Sequence, residues 1–390
     1  MNFLNRHSKK QSSPARHLAI AILHQCHDPS HTLDHWLEQS SAQIESLSQP
    51  DRAFFHAIVY GVLRWQSHLD WIIDQLAARP GKKIDALVRI VLRVGLFQII
   101  HLDRVPASAA VNTAVEWAKR NHRSWATGFI NSLLRRAAKQ TDRIAWPDAS
   151  SDQVAAIATR HAFPPWLIKR WITQRGEKET VSLCKAINTI PPLTLRINTL
   201  KTTRAAFISD LEPFAEKIEP CRYAPEGICF TSPSKPMPQW PMYVEGRFQI
   251  QDEAAQIIGH LMAPQAGQKV WDACAGLGTK TAHLAQLMKN KGYILATDHS
   301  PEKLARLNQE MQRLSIDIVE TKCMPLTQAA PPHADFDCIL VDAPCSGLGV
   351  LQKNPDGKWR AQPEDLKRLG IRQRRFLESA STHLAPGGRM

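Results

Sequence analysis

The chain has 390 residues, enough for two or three domains with ordinary hydrophobic cores. Its 49 Lys and Arg against 36 Asp and Glu leave a net charge of +13, and with no long apolar run such a surface fits a nucleic acid better than a membrane. The eight cysteines form no Cys-x-x-Cys pair and no zinc spacing, and the basic leader from Met1 to Arg16 lacks a signal-peptide core, so free thiols, no metal and a cytoplasmic location are expected.

From Pro14 to about Gln140 apolar residues recur at spacings of three and four. Helices are predicted over Ala15 to Cys26, Thr32 to Leu47, Gln49 to Ala78, Ile84 to His101, Ala107 to Asn121 and Ser124 to Ala138. Ser48-Gln-Pro-Asp51 and Arg79-Pro-Gly81 punctuate them. Residues 1–140 are therefore expected to form an all-helical domain. Lys119, Arg120, Arg123, Arg135 and Arg136 concentrate near its end and could hold RNA phosphates. The competing reading is a solvated face, the default for Lys and Arg. Phe129, Ile130, Leu133 and Leu134 are expected in the core.

Residues 141–160 are polar and read as a linker, followed by helices over Leu167 to Arg175 and Lys178 to Asn188. Pro191 to Asn198 alternates as a strand, and its Arg196 could either meet an RNA backbone or pair with a carboxylate. A helix from Arg204 to Leu211 and short strands among proline-rich turns complete a small α+β subdomain, assigned to residues 141–247. Phe248 to Gln256 opens the last domain, residues 248–390, with Asp252 placed to cap a helix.

Two stretches of that last domain carry chemistry. Val270-Trp-Asp-Ala-Cys-Ala-Gly-Leu-Gly-Thr-Lys280 reads as a buried strand breaking into a glycine turn and a helix, where Gly276 and Gly278 allow a ligand close to bare backbone amides. The next strand, Gly292 to Asp298, ends in an acid of the kind that accepts ribose hydroxyls. A nucleoside-bearing cofactor follows, though the glycines alone also describe a nicotinamide site. The second stretch, Phe336 to Asp342 followed by Ala343-Pro-Cys-Ser-Gly, decides against a dehydrogenase. It sets a carboxylate, a rigid proline and a thiol beside the cofactor, a set suited to a pyrimidine edge and a covalent base adduct.

These residues resemble the RsmB/Sun group of RNA cytosine carbon-5 methyltransferases that use S-adenosylmethionine. The resemblance covers nearly the whole chain and rests most on Asp342-Ala-Pro-Cys-Ser-Gly, Asn354-Pro-Asp-Gly-Lys-Trp359 and Gln251-Asp-Glu-Ala-Ala-Gln256; the amino-terminal part is similar to the NusB-like RNA-binding domain. It implies a Rossmann-like methyltransferase domain with a doubly wound sheet, incomplete at its carboxyl end, preceded by the all-α NusB-like domain and the α+β subdomain. Methylation of a cytosine in 16S ribosomal RNA by a cytoplasmic monomer, with small-subunit RNA as partner and no membrane, is the activity implied. Cys274, Ala275, Gly276, Leu277, Gly278, Thr279, Lys280, Asp298 and Asp342 would hold S-adenosylmethionine, and Gln251 and Asp252 would lie near it.

Cytosine carbon-5 attacks a methyl sulfonium only after a cysteine adds to carbon-6, and a carboxylate on the base stabilises the charge that develops. By the resemblance Asp342 is that carboxylate and Cys345 assists product release. The attacking cysteine of the group stands in a Thr-Cys on the following strand, and no Thr-Cys occurs in this sequence. Leu384 to Met390 reads as the turn before that strand, so a fragment is expected, because an end there would leave the fourth strand as a long apolar edge. The alternatives are an RNA-binding protein that has lost its nucleophile, or an enzyme in which Cys345 itself attacks. Further departures are the shifted glycine in Ala275-Gly-Leu-Gly-Thr-Lys280 and Lys322-Cys323 in place of Gly-Asp after the third strand. Lys358 and Trp359 could hold the target strand by charge and stacking, and Lys367, Arg368, Arg372, Arg374 and Arg375 form a phosphate-facing or a solvated stripe.

Overall fold

The computed structural model describes residues 13–77, 83–140, 144–326 and 335–390. Most of the basic leader, the Arg79-Pro-Gly81 turn and the first linker residues fall outside them. The chain divides into two compact units, residues 1–190 with 346–363, and residues 191–345 with 364–390.

The first unit is helical. Its helices Pro14–Gln25, Ala86–His101 and Ala107–Arg120 stand where the apolar period puts them, and two longer predicted helices break once each, at Ser40 and at Trp65. Helix starts are set by side chains that satisfy bare amides: the Ser48 hydroxyl accepts from Asp51 N at 3.3 Å and the Asp85 carboxylate from Val88 N at 3.0 Å. Phe55, Ile58, Leu69, Leu92 and Leu96 fill the core with Ile130, Leu133 and Leu134, while Phe129 is partly buried against it. Helices pack closely where Gly61 stands, since a Cβ there would overlap the Phe97 ring. The expected linker is in part a helix, Gln153–His161, which Asp152 caps and which buries Ile157 and Ala158 against Phe163 and Leu167. Polar residues at 148–153 hid its short apolar face.

Lys358 and Trp359 correct the sequence reading. Lys358 is fully buried; its Nζ donates to Arg64 O at 2.9 Å, Ala162 O at 3.1 Å and Asn188 Oδ1 at 2.7 Å, and lies 3.7 Å from the Phe163 ring centroid. Three acceptors use all three ammonium hydrogens, so none is left for a phosphate. Burial pulls its pKa down to about 7. Trp359 Nε1 donates to Leu63 O at 2.6 Å, and Asp356 accepts from Leu33 N at 3.2 Å. The segment is a clip that fastens residues 346–363 to the helices of this unit. Lys358→Met, which leaves those acceptors unpaired, is expected to cost about 2 kcal/mol, seen as a lower urea midpoint.

In the second unit, strands β1 (Leu193–Ile197), β2 (Glu216–Pro220), β3 (Gly227–Thr231) and β4 (Phe248–Ile250) form an antiparallel sheet in the order β2-β3-β1-β4. Phe207, Phe230, Trp240 and Phe248 form its core. Five parallel strands follow, β5 (Lys269–Asp272), β6 (Tyr293–Asp298), β7 (Val319–Cys323), β8 (Phe336–Leu340) and β9 (Leu384–Arg389), in the order β7-β6-β5-β8-β9. Val270, Ile294, Leu295, Cys338 and Ile339 are fully buried, as strands covered on both faces require. The chain winds outward in opposite directions from β5, which opens a crevice at the carboxyl ends of β5 and β8.

The stretch expected to be a turn, Leu384–Arg389, pairs with β8 instead, Phe336 opposite Leu384 and Cys338 opposite Arg389. Pro386 and the glycine pair signalled a turn, and the register shift between the two pairs, with Gly387 at φ +79°, absorbs them. β8 is consequently an inner strand.

Candidate active site

The glycine loop after β5 is shaped by backbone needs. Gly276 and Gly278 have φ of +57° and +80°, and a Cβ on Gly278 would stand 2.5 Å from Leu307 Cγ. A Cβ on Gly276 would meet nothing within 4 Å, because the loop there borders open space. The loop is fastened to the end of β6: Ala275 N donates to Thr297 O at 2.9 Å and Gly276 N to Asp298 Oδ2 at 3.1 Å. Asp298 Oδ1 accepts from Ser300 N at 2.9 Å and faces His299 Nδ1 at 3.1 Å.

A cavity of about 780 Å³ lies at the crevice, and Cys274, Gly276, Asp298, Asp342 and Pro344 all line it. The two carboxylates singled out in the sequence thus border one space. Arg368, Arg372 and Arg375 of the Pro363–Ser381 helix line it too. Asp342 Oδ2 is 2.6 Å from Lys280 Nζ, and Gln373 Nε2 donates to Pro344 O at 3.0 Å, steadying the Asp342-Ala-Pro-Cys turn. Cys345 is exposed and is not among the lining residues. Nor are all the loop residues: Leu277 and Thr279 border a separate hollow with Tyr243, Gln249 and Ile250, Ala275 and Gly278 make backbone hydrogen bonds that shape the loop, and Lys280 reaches Asp342. Burial pushes the Cys274 thiol up to about 12.

Asp272, at the end of β5, went unremarked in the sequence. It is 1% exposed, and its Oδ2 accepts the Thr281 hydroxyl at 2.7 Å. Burial first, and then the Asp342 charge, raises its pKa from 3.8 to about 6. A raised folded-state pKa gives stability that is present below pH 3.8 and lost as pH rises through about 6. Asp272→Asn, uncharged throughout, should therefore melt higher than the parent at pH 8 and show no such gain near pH 4. An acid closing a buried strand was the available signal.

Arg196 is the second correction. It is fully buried on β1 and donates to Gln286 Oε1 at 2.9 Å, Gln249 Oε1 at 2.8 Å, Thr279 O at 3.1 Å and Gln251 Oε1. Full burial puts it out of reach of an RNA backbone, and among the described residues it makes no ion pair with a carboxylate. Burial lowers its pKa to about 9, so the guanidinium stays charged at neutral pH. Asn198 donates to Gly246 O and Leu314 O, each at 2.9 Å. Arg196 ties the antiparallel sheet to the helix that begins at the glycine loop, and Asn198 ties it to the end of the Pro301–Leu314 helix. Gln251, expected beside the cofactor, belongs to this network and does not line the cavity.

In the helical unit, Lys119, Arg120 and Arg135 are exposed; Lys119 pairs with Glu116 at 3.0 Å and Arg135 donates to Asn131 at 3.0 Å. Arg123 and Arg136 are half-buried, the former 3.6 Å from Asp85. Trp125, 70% exposed between these basic residues, was missed, although an aromatic amid cations is a recognisable signal.

Residues 259–390 match the model of the 16S rRNA methyltransferase RsmB/F family, residues 13–139 that of the NusB family, and residues 163–236 that of the RsmF/B-like ferredoxin-like domain. The chain is 35% identical over 376 residues to the probable ribosomal RNA small subunit methyltransferase B of Synechocystis sp., a match covering 96% of this chain and 84% of that one. The chain belongs to the RsmB/F methyltransferase family. Its identity to the ribosomal RNA small subunit methyltransferase B of Pseudomonas putida is 32% over 348 residues, covering 89% and 78% of the two chains. The crystal structure of PH0851 has the same fold, with a TM-score of 0.78 at 24% identity over 97% of this chain and 84% of that one. The family is S-adenosylmethionine-dependent, and the cavity suits that cofactor: a carboxylate at the end of β6 and a glycine backbone without side chains border the same open space.

Proposed function

We propose that this protein methylates carbon-5 of a cytosine in 16S ribosomal RNA and acts as a cytoplasmic monomer. The observation that carries the reading is the single cavity bordered by Asp298 and Asp342. Its size, about 780 Å³, is that of a cofactor pocket, and it runs on to Pro344, where an extruded base would lie.

Asp298 accepts the two ribose hydroxyls of the cofactor, and the Cys274 to Gly278 backbone holds its amino-acid end. S-adenosylmethionine supplies the methyl group when bound. Asp342 faces the cytosine, accepting from its amino group and its protonated ring nitrogen as charge builds up, with the Lys280 ammonium fixing the carboxylate's position. Gln373 holds Pro344 O and so steadies the turn that carries Cys345. Cys345 releases the methylated base; the attacking cysteine of the resembling enzymes has no counterpart in these 390 residues. RNA affinity comes from Lys119, Arg120, Arg123, Arg135 and Arg136, joined by Trp125. Replacing Lys119 and Arg120 by Ala should weaken binding of every RNA similarly and flatten its salt dependence.

The test is transfer of labelled methyl from S-adenosylmethionine to unmethylated 16S RNA by the full gene product, followed by nucleoside mass spectrometry. The expected product is 5-methylcytidine at one site, with Asp342→Asn lowering kcat by about 100-fold. Cofactor binding without any transfer would sink the enzyme reading and favour an RNA-binding role. A covalent adduct of Cys345 with a 5-fluorocytosine RNA would instead make that thiol the nucleophile.

A further inference from the structure

Outside the cavity, three elements of the second unit bring together side chains that the transfer reaction does not use. Glu226 stands at the turn before β3, His260 on the Glu253–Met262 helix and His283 on the Thr279–Leu287 helix. One candidate ligand atom from each lies within 4.8 Å of the others. His260 Nε2 is 2.8 Å from Glu226 Oε2, and the two imidazoles meet edge to face with centroids 5.2 Å apart.

His283 is the unusual member. It is 1% exposed, yet neither ring nitrogen has a hydrogen-bond partner among the described residues. Leaving a buried polar group bare is costly, and native folds rarely accept that without cause. Burial holds its pKa near 2, so the ring is neutral, the form that ligates metals. Gly259 makes room for it, since a Cβ there would stand 2.4 Å from His283 Nδ1.

We propose that Glu226, His260 and His283 bind one divalent transition cation of the zinc type, with water as the fourth ligand. Two imidazoles and a carboxylate are the donor set that Zn²⁺ takes in sites with one open position, while Mg²⁺ and Ca²⁺ prefer oxygen throughout. Tetrahedral bonds of this kind bring donor atoms to roughly 3.3 Å from one another, a shift of order 1 Å for these side chains. Coordination replaces the hydrogen bond between His260 Nε2 and Glu226 Oε2. The Arg196 charge acts on His283 and Glu226 and opposes the added charge, so binding is weaker than in closed four-ligand sites. The cation would brace the helix after the glycine loop, whose Thr281 holds Asp272, against the antiparallel sheet.

The test is titration of the chelator-treated chain with Zn²⁺ by calorimetry, and with Co²⁺ by absorption. Expected are one strong equivalent, tetrahedral cobalt d–d bands without a thiolate charge-transfer band, and a higher Tm with zinc. His283→Phe and Glu226→Gln should each weaken binding by at least about 100-fold. Should His283→Phe fail to fold, Glu226→Gln, on a side chain 16% exposed, carries the comparison. No stoichiometric binding would overturn the site, as would undiminished binding in Glu226→Gln. So would a thiolate band, which would place the metal on cysteines such as Cys221 and Cys229, 3.3 Å apart.

Discussion

Replacing Asp298 by alanine is expected to weaken binding of S-adenosylhomocysteine by roughly 150-fold, about 3 kcal/mol, as read by calorimetry at fixed salt. On the proposed reading two charge-assisted hydrogen bonds to the ribose would be lost at once, each worth about 1.5–3 kcal/mol. The carboxylate also holds Gly276 N at 3.1 Å and Ser300 N at 2.9 Å, so part of the loss comes from a looser loop. Asp298→Asn separates the two contributions. It keeps one acceptor oxygen and removes the charge, and an intermediate loss is the expected outcome. Unchanged affinity in Asp298→Ala would place the cofactor elsewhere.

Arg196→Ala should lower stability by about 3–5 kcal/mol, measured by urea unfolding of the whole chain followed through tryptophan fluorescence. The substitution removes one buried cation and leaves the Gln249, Gln251 and Gln286 carbonyl oxygens without their donor. Each such oxygen costs about 1–3 kcal/mol when bare, so even partial relaxation leaves a large effect. Arg196→Lys is not a rescue, because an ammonium lacks the planar fork that reaches acceptors from three elements. Cofactor binding should fall with stability, since the same guanidinium holds Thr279 O at the start of the loop helix. A loss below about 1 kcal/mol would show that the network is dispensable.

What could be read from the sequence was local. The glycine loop, the acid ending β6 and the Asp342-Ala-Pro-Cys turn are runs of adjacent residues whose strand-to-turn pattern survives without knowledge of the fold, and the cavity joins them. The roles of Arg196 and Lys358 could not be read this way. Their partners stand as far as 90 and 294 residues away, and a lone cation in a sequence carries no mark of burial. By frequency alone both belonged on the surface. Asp272 failed for the opposite reason: it is the residue in its strand with the clearest chemistry, hidden by the apolar run around it. β9 was obscured by Pro386 and the glycines, which an irregular outer pairing tolerates.

The most direct measurement is a crystal structure of the chain soaked with S-adenosylhomocysteine. The expected density has the ribose hydroxyls on Asp298 and the sulfur turned toward Asp342, with space left beside Pro344 for a base. Ligand bound away from the crevice of β5 and β8, or with the ribose out of reach of Asp298, would contradict the proposal that donor and base share one pocket.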